Sequence, residues 1–156
     1  MQGKAHGAPV DSLKVQNFNR QNPSAEFPRF TSLAASECAQ LLHAIAKRLG
    51  LDAQSEPLVV LNTLCASARS LTSVDAEDGF NLRTLISGLG LKARAEVLVN
   101  WQRFDNIDRI ALSDLSRHFD DIWYPSSDDI EIFDESLDWF VLIRHDGRVS
   151  ALNLSA

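Results

Sequence analysis

Two adjacent pairs of aspartates, Asp120-Asp121 and Asp128-Asp129, are the residues of this 156-residue chain whose type and spacing most invite chemistry. Carboxylates gathered in this way offer hard oxygen ligands to Mg²⁺ or Ca²⁺. A calcium loop, however, needs acids or amides at alternating positions, a central glycine and a closing glutamate, and the run DDIWYPSSDD has no such order. His43, His118 and His145 are too scattered to read a Ser-His-Asp or Cys-His arrangement from their spacing. Cys38 and Cys65 sit in apolar segments without CxxC spacing and read as small buried hydrophobes. Gly88-Leu89-Gly90 follows a helical pattern rather than a strand, and neither a third glycine nor a Lys-Ser/Thr comes after it, so it makes no phosphate loop. The residues therefore point to no catalytic group, no metal and no cofactor, and the expectation is a protein that binds rather than transforms.

What those carboxylates do offer is charge. The chain carries a formal −6, but the acidity is local. Residues 1–50 hold six cations against three acids, whereas residues 105–146 hold twelve acids against Arg109, Arg117 and Arg144. Like charges crowded in this way need either free solvation or an external counter-charge. One reading is a solvated rim that keeps the protein in solution. The other is a docking face for a basic partner, which would speed encounter and weaken with salt. Trp123 and Tyr124 lie between the two aspartate pairs, and large amphipathic rings among acids are how interfaces build anchors. The expected partner-binding set is therefore Asp120, Asp121, Trp123, Tyr124, Asp128, Asp129 and Glu131, with Trp123 closing the core as the competing role. Nucleic acid is excluded as a general partner, because binding it needs basic surface.

The elements that must position these residues follow from periodicity. Residues 1–30 carry Gly3, Gly7, Pro9, Pro23 and Pro28 without apolar periodicity and read as a mobile N-terminal arm. Residues 31–156 read as one globular domain. Leu33, Leu41, Leu42, Ile45 and Leu49 fall near helical spacing, with Lys47 and Arg48 in the last turn and Gly50 beyond it. A second helix is expected from Pro57 toward Leu71, with Leu58, Leu61, Leu64, Cys65, Ala68 and Leu71 on one face; Leu58-Val59-Val60-Leu61 as a short strand is the alternative. A polar connection near Ser73–Gly79 leads to a shorter helix from Phe80 to about Leu89. Glu96–Trp101 is β-branched and aromatic enough for a strand, and Ile110, Leu112, Leu115 and Phe119 mark a further helix that ends before Pro125.

The last third is a meander. Asp129–Asp134 alternates like a half-exposed strand, and Trp139–Ile143 is apolar on both sides like a central one. Asp146-Gly147 reads as a two-residue hairpin turn, which would set Ile143 opposite Ser150 and Val141 opposite Leu152. The sum is an α+β domain: an antiparallel sheet of about four strands with helices packed mainly on one face. The N-terminus has no apolar core of a leader and no window approaches 18 apolar residues, so no membrane partner and a soluble cytoplasmic protein are expected.

The segment Asp120-Asp121-Ile122-Trp123-Tyr124-Pro125, followed by Asp128-Asp129 and by Trp139 through His145-Asp146-Gly147, resembles the tails of small acidic bacterial immunity proteins of polymorphic and contact-dependent toxin systems. The resemblance covers about a quarter of the chain. It implies a non-enzymatic cytoplasmic inhibitor that covers the active site of a cognate toxin domain, often a basic nuclease. Two other classes stay open: an acidic adaptor or secretion-chaperone-like protein that dimerises through its sheet or an apolar helix, and a metal-dependent hydrolase.

Overall fold

In the computed structural model, which describes residues 12–101 and 103–155, the sheet has seven strands rather than about four. In chain order the elements are α1 (Ser12–Gln21), β1 (Phe30–Ser32), α2 (Ala35–Arg48), α3 (Pro57–Ser67), β2 (Arg69–Asp75), α4 (Leu82–Gly88), β3 (Glu96–Asn100), β4 (Ile107–Ala111), α5 (Leu112–Arg117), α6 (Phe119–Ile122), β5 (Ile130–Phe133), β6 (Trp139–Ile143) and β7 (Arg148–Asn153). Every pairing is antiparallel, in the order β1-β4-β3-β5-β6-β7-β2. The α+β class and the C-terminal meander stand. The strand count is corrected by β1, β2 and β4, which the periodicity hides: Ile110 belongs to β4 rather than to a helix, and Leu71 to β2 rather than to the end of α3.

The second correction concerns layers. Helices cover both faces of the sheet. Trp139, Val141 and Ile143 of β6 pack with Val97, Val99, Ile130 and Ile132 under α4, α5 and α6, whereas Phe140 and Leu142 pack with Leu98 and Phe133 under α2 and α3. A strand buried on both sides reads as a near-continuous apolar run, and all five residues of β6 are buried. β5 is equally buried, so its alternation of Ile and acid does not report exposure: Glu131 is as hidden as its neighbours.

The hairpin between β6 and β7 differs from the expected one by a single residue. Ile143 pairs with Val149 and Val141 with Ala151. The loop holds three residues: Gly147 N–H donates to Arg144 O at 2.8 Å and Arg144 N–H to Arg148 O at 2.9 Å, while Gly147 takes φ +91°. This is a tight turn closed by a residue in the left-handed region, a geometry that favours glycine. A one-residue slip exchanges the faces of β7. It moves Val149 and Ala151 under α4–α6 and Leu152 under α3.

Within the stretch read as an arm, residues 12–21 form α1, whose Lys14 and Phe18 are buried, and residues 30–32 form the edge strand β1. Residues 1–11 lie outside the described residues. α2 stops as expected, with Lys47 and Arg48 in its last turn and Gly50 at φ +79°.

Trp139→Ala should lower the unfolding free energy by about 3–5 kcal/mol, because the ring is 1 % exposed and its indole N–H donates to Asp134 Oδ2 at 3.1 Å. Gly147→Ala should cost about 1–3 kcal/mol, because the backbone is left-handed and a Cβ would run into Asp75 Oδ1. Denaturant melts of the two variants measure both losses.

Candidate functional site

The seven residues expected to meet a partner do not form one surface. Trp123 ends α6 and is 1 % exposed; its ring stacks on Phe119 with centroids 5.5 Å apart and its indole N–H donates to Asp128 O at 2.9 Å. It is a core residue and presents no ring to solvent. Tyr124, the next residue, is half-buried. Its hydroxyl accepts from Asn17 Nδ2 at 3.2 Å, and its ring lies 4.6 Å from Lys14 Nζ.

Asp128 turns inward. One carboxylate oxygen accepts from Lys14 Nζ at 2.5 Å and from Tyr124 N–H at 2.8 Å, while the same ammonium donates to Ile122 O at 2.6 Å and sits 4.2 Å over the Trp101 ring. A lysine removed from water needs such compensation from a charge, a dipole and ring faces together. The acidic loop thus has its counter-charge inside the chain, on a helix more than a hundred residues upstream.

Glu131 is 2 % exposed and accepts from Asn100 Nδ2 at 2.6 Å and from Arg144 Nη2 at 2.7 Å. Burial pushes its carboxyl above the usual range, against the opposing pull of Arg144 and Asn100. Asp120 is exposed on α6, but it lines a polar cavity of about 530 Å³ together with Arg83 and Arg117, so cations stand beside it. Asp121 lies 3.9 Å from the His118 ring nitrogen.

Asp129 is the member of the set that joins other acids at the surface. It accepts from His145 N–H at 2.7 Å and from the His145 ring at 2.9 Å, which ties it to the hairpin loop. Burial raises its carboxyl, but the two His145 hydrogen bonds and the Arg144 charge outweigh that and hold it below the usual range. Alongside that loop runs the end of β2 and the turn after it. Ala76 N–H donates to Gly147 O at 2.9 Å, and Asp75 pairs with Arg148 in the ladder. Because Gly147 has no side chain, the Asp75 carboxylate can close on its backbone.

The result is an exposed acidic end of the sheet built from three segments: Asp75 at the end of β2 with Glu77 and Asp78 in the turn after it, Asp129 before β5, and Asp146 in the hairpin loop. Asp75, Glu77 and Asp78 were read from the sequence as a polar connection. No local signal would have placed them, because Arg69–Asp75 lacks the alternation of a strand and takes that form by pairing with β7. The basic groups beside this cluster are Arg148, whose side chain is 83 % exposed and pairs with Asp146, Arg144, whose charge acts on Asp129, and the His145 ring.

Of the two cysteines, Cys38 is buried as expected, which raises its thiol pKa. Cys65 is exposed on α3, and this corrects its assignment to the core. Among the described residues, no three His, Cys, Asp or Glu side chains stand together as metal ligands, and no helix is long and apolar enough to cross a membrane. Comparison with protein-family models, curated proteins and solved structures finds no match to this chain.

Two outcomes follow from this geometry. Lys14→Met strands the Asp128 carboxylate and should cost on the order of 3 kcal/mol, read by hydrogen exchange as lost protection confined to residues 12–21 while β5 and β6 stay protected. For Asp129 the folded pKa lies below the unfolded one, so its contribution to stability is present above the unfolded value near 3.9 and is lost as pH falls through the folded value. Asp129→Asn should therefore flatten the acid limb of stability against pH, measured by urea melts between about pH 2 and 6. The effect should be small, because the side chain is 48 % exposed.

Proposed function

We propose that the chain is a non-enzymatic protein-binding protein that docks a basic partner on the acidic end of its sheet, as an immunity protein would cover a cognate toxin domain. One observation carries the reading: five exposed carboxylates from three chain segments converge where the β2 turn meets the β6–β7 loop, with Arg144, Arg148 and one histidine beside them. The backbone beneath them is fixed by the Ala76–Gly147 hydrogen bond and by the Asp129–His145 contacts. Holding like charges on a rigid frame means that their repulsion is already met by folding, and a cationic surface relieves it on contact. The contact residues in this reading are Asp75, Glu77, Asp78, Asp129 and Asp146. Trp123, Asp128 and Glu131 serve the interior instead, and Tyr124 serves α1.

A field of this kind acts mainly on the rate of encounter, so complex formation should weaken steeply with ionic strength. The test is a pull-down from the source cell at about 50 and 500 mM salt with the wild-type chain and with Glu77→Gln/Asp78→Asn/Asp146→Asn. The expected result is a basic protein recovered by the wild type at low salt, reduced at high salt and absent from the neutralised variant. Equal recovery by the two proteins removes the acidic end from the mechanism.

A further inference from the structure

We infer that the cavity between α4 and α5 is a binding site for a small phosphorylated sugar, whose phosphate is held by Arg83 and Arg117. The cavity encloses about 530 Å³, within the range of small-molecule sites and larger than a phosphate alone requires. Its walls are polar: Arg83 and Thr84 come from the first turn of α4, Ser113, Ser116 and Arg117 from α5, and Asp120 from α6. Lys14, Arg48, Arg109, Arg144 and Arg148 each sit against a carboxylate. Arg83 and Arg117 do not. Among the described residues neither guanidinium forms an ion pair, although Asp120 lines the same cavity. Two such groups facing one space offer planar forks of N–H donors to the oxygens of a phosphate.

The frame around them is built without a ligand. Asn81 Oδ1 accepts from Thr84 N–H at 2.9 Å and starts α4, while Ser116 Oγ accepts from Arg83 N–H at 3.2 Å and ties α4 to α5. These backbone donors are therefore occupied, and the attraction for an anion comes from the side chains. The chain carries a formal −6, so its long-range field opposes a dianion and binding rests on contact rather than on steering. Asp120 decides the rest of the ligand. A carboxylate repels a phosphate but accepts from hydroxyl groups, so the molecule that suits this cavity carries its negative charge at one end and hydroxyls at the other. The exposed Thr84 and Ser113 hydroxyls add donors and acceptors for the same body. A nucleobase would need an apolar wall, and Phe119 is buried with only the half-buried Phe80 ring, 4.9 Å away, above it.

This site uses none of the five carboxylates assigned to the basic partner, so the two readings stand or fall separately. The test follows amide chemical shifts of the full chain during titration with ribose-5-phosphate, inorganic phosphate and ribose. The sugar phosphate should shift residues 80–84 and 113–120 and saturate with a dissociation constant of about 0.1–1 mM, inorganic phosphate should bind about tenfold more weakly, and ribose should leave the spectrum unchanged. Arg83→Gln and Arg117→Gln, at exposed side chains, should each weaken sugar-phosphate binding about tenfold or more with an unchanged melting midpoint. Asp120→Asn should tighten inorganic phosphate and abolish the preference for the sugar. Absence of saturation by the sugar phosphate at about 10 mM overturns the inference. So does binding that both arginine variants leave unchanged, or inorganic phosphate bound by the wild type as tightly as the sugar phosphate.

Discussion

The constraint behind this fold is the double burial of β6. Its five residues are apolar on both sides and all buried, and no sheet with one face in water could hold them. Burying apolar surface on both sides of a strand requires a layer above and a layer below. The chain meets this by splitting its helices: α2 and α3 come before most of the sheet and take one face, and α4, α5 and α6 are threaded between strands and take the other. The one-residue register of the β6–β7 hairpin belongs to the same constraint. Only with a three-residue loop do Val149 and Ala151 meet the α4–α6 side while Leu152 meets the α3 side.

A sheet covered on both faces has few places for its acids, and that decides which of them are charge at the surface. Asp134 is fully buried and accepts from the backbone N–H of Arg94 and of Ser136, from the Ser136 hydroxyl and from the Trp139 indole. Asp108, 1 % exposed, accepts from the Ser32 hydroxyl and the Trp101 indole. With Glu131 on Arg144 and Asp128 on Lys14, these four of the twelve acids between residues 105 and 146 connect elements from inside the fold, and Glu135 on Arg109 and Asp138 on Arg48 do so at its surface. A buried carboxylate holds its place through such donors. The formal charge of a segment therefore overstates the charge it leaves at the surface.

Legibility followed the range of the interactions involved. The helix α2 could be read because its signals are local: apolar spacing, basic residues in the last turn and Gly50 just past it. The meander could be read for the same reason. β4 and β2 could not, since Ile107–Ala111 and Arg69–Asp75 become strands only when paired to β3 and β7, and Ile110, Leu112 and Leu115 happen to fall at helical spacing across the β4–α5 junction. For the site, Asp129 was legible and its companions Asp75, Glu77 and Asp78 were not, because their proximity depends on β2 crossing to the far edge of the sheet. The Lys14–Asp128 pair, with its partners more than a hundred residues apart, carries no local signal in either segment.

Long range also explains why the aromatic residues among the acids misled. Trp123 and Tyr124 sit in a loop that looks like an interface because the helix covering it comes from the opposite end of the chain. With α1 docked, the loop already has what an interface would supply: an ammonium for Asp128, an amide for the Tyr124 hydroxyl and ring contacts for the ammonium. Crowded charge in a sequence is thus ambiguous, since the countercharge can come from within. The ammonium of Lys14, two rings and a neighbouring carboxylate meet only when the two ends of the chain come together, so no window of the sequence contains the pattern.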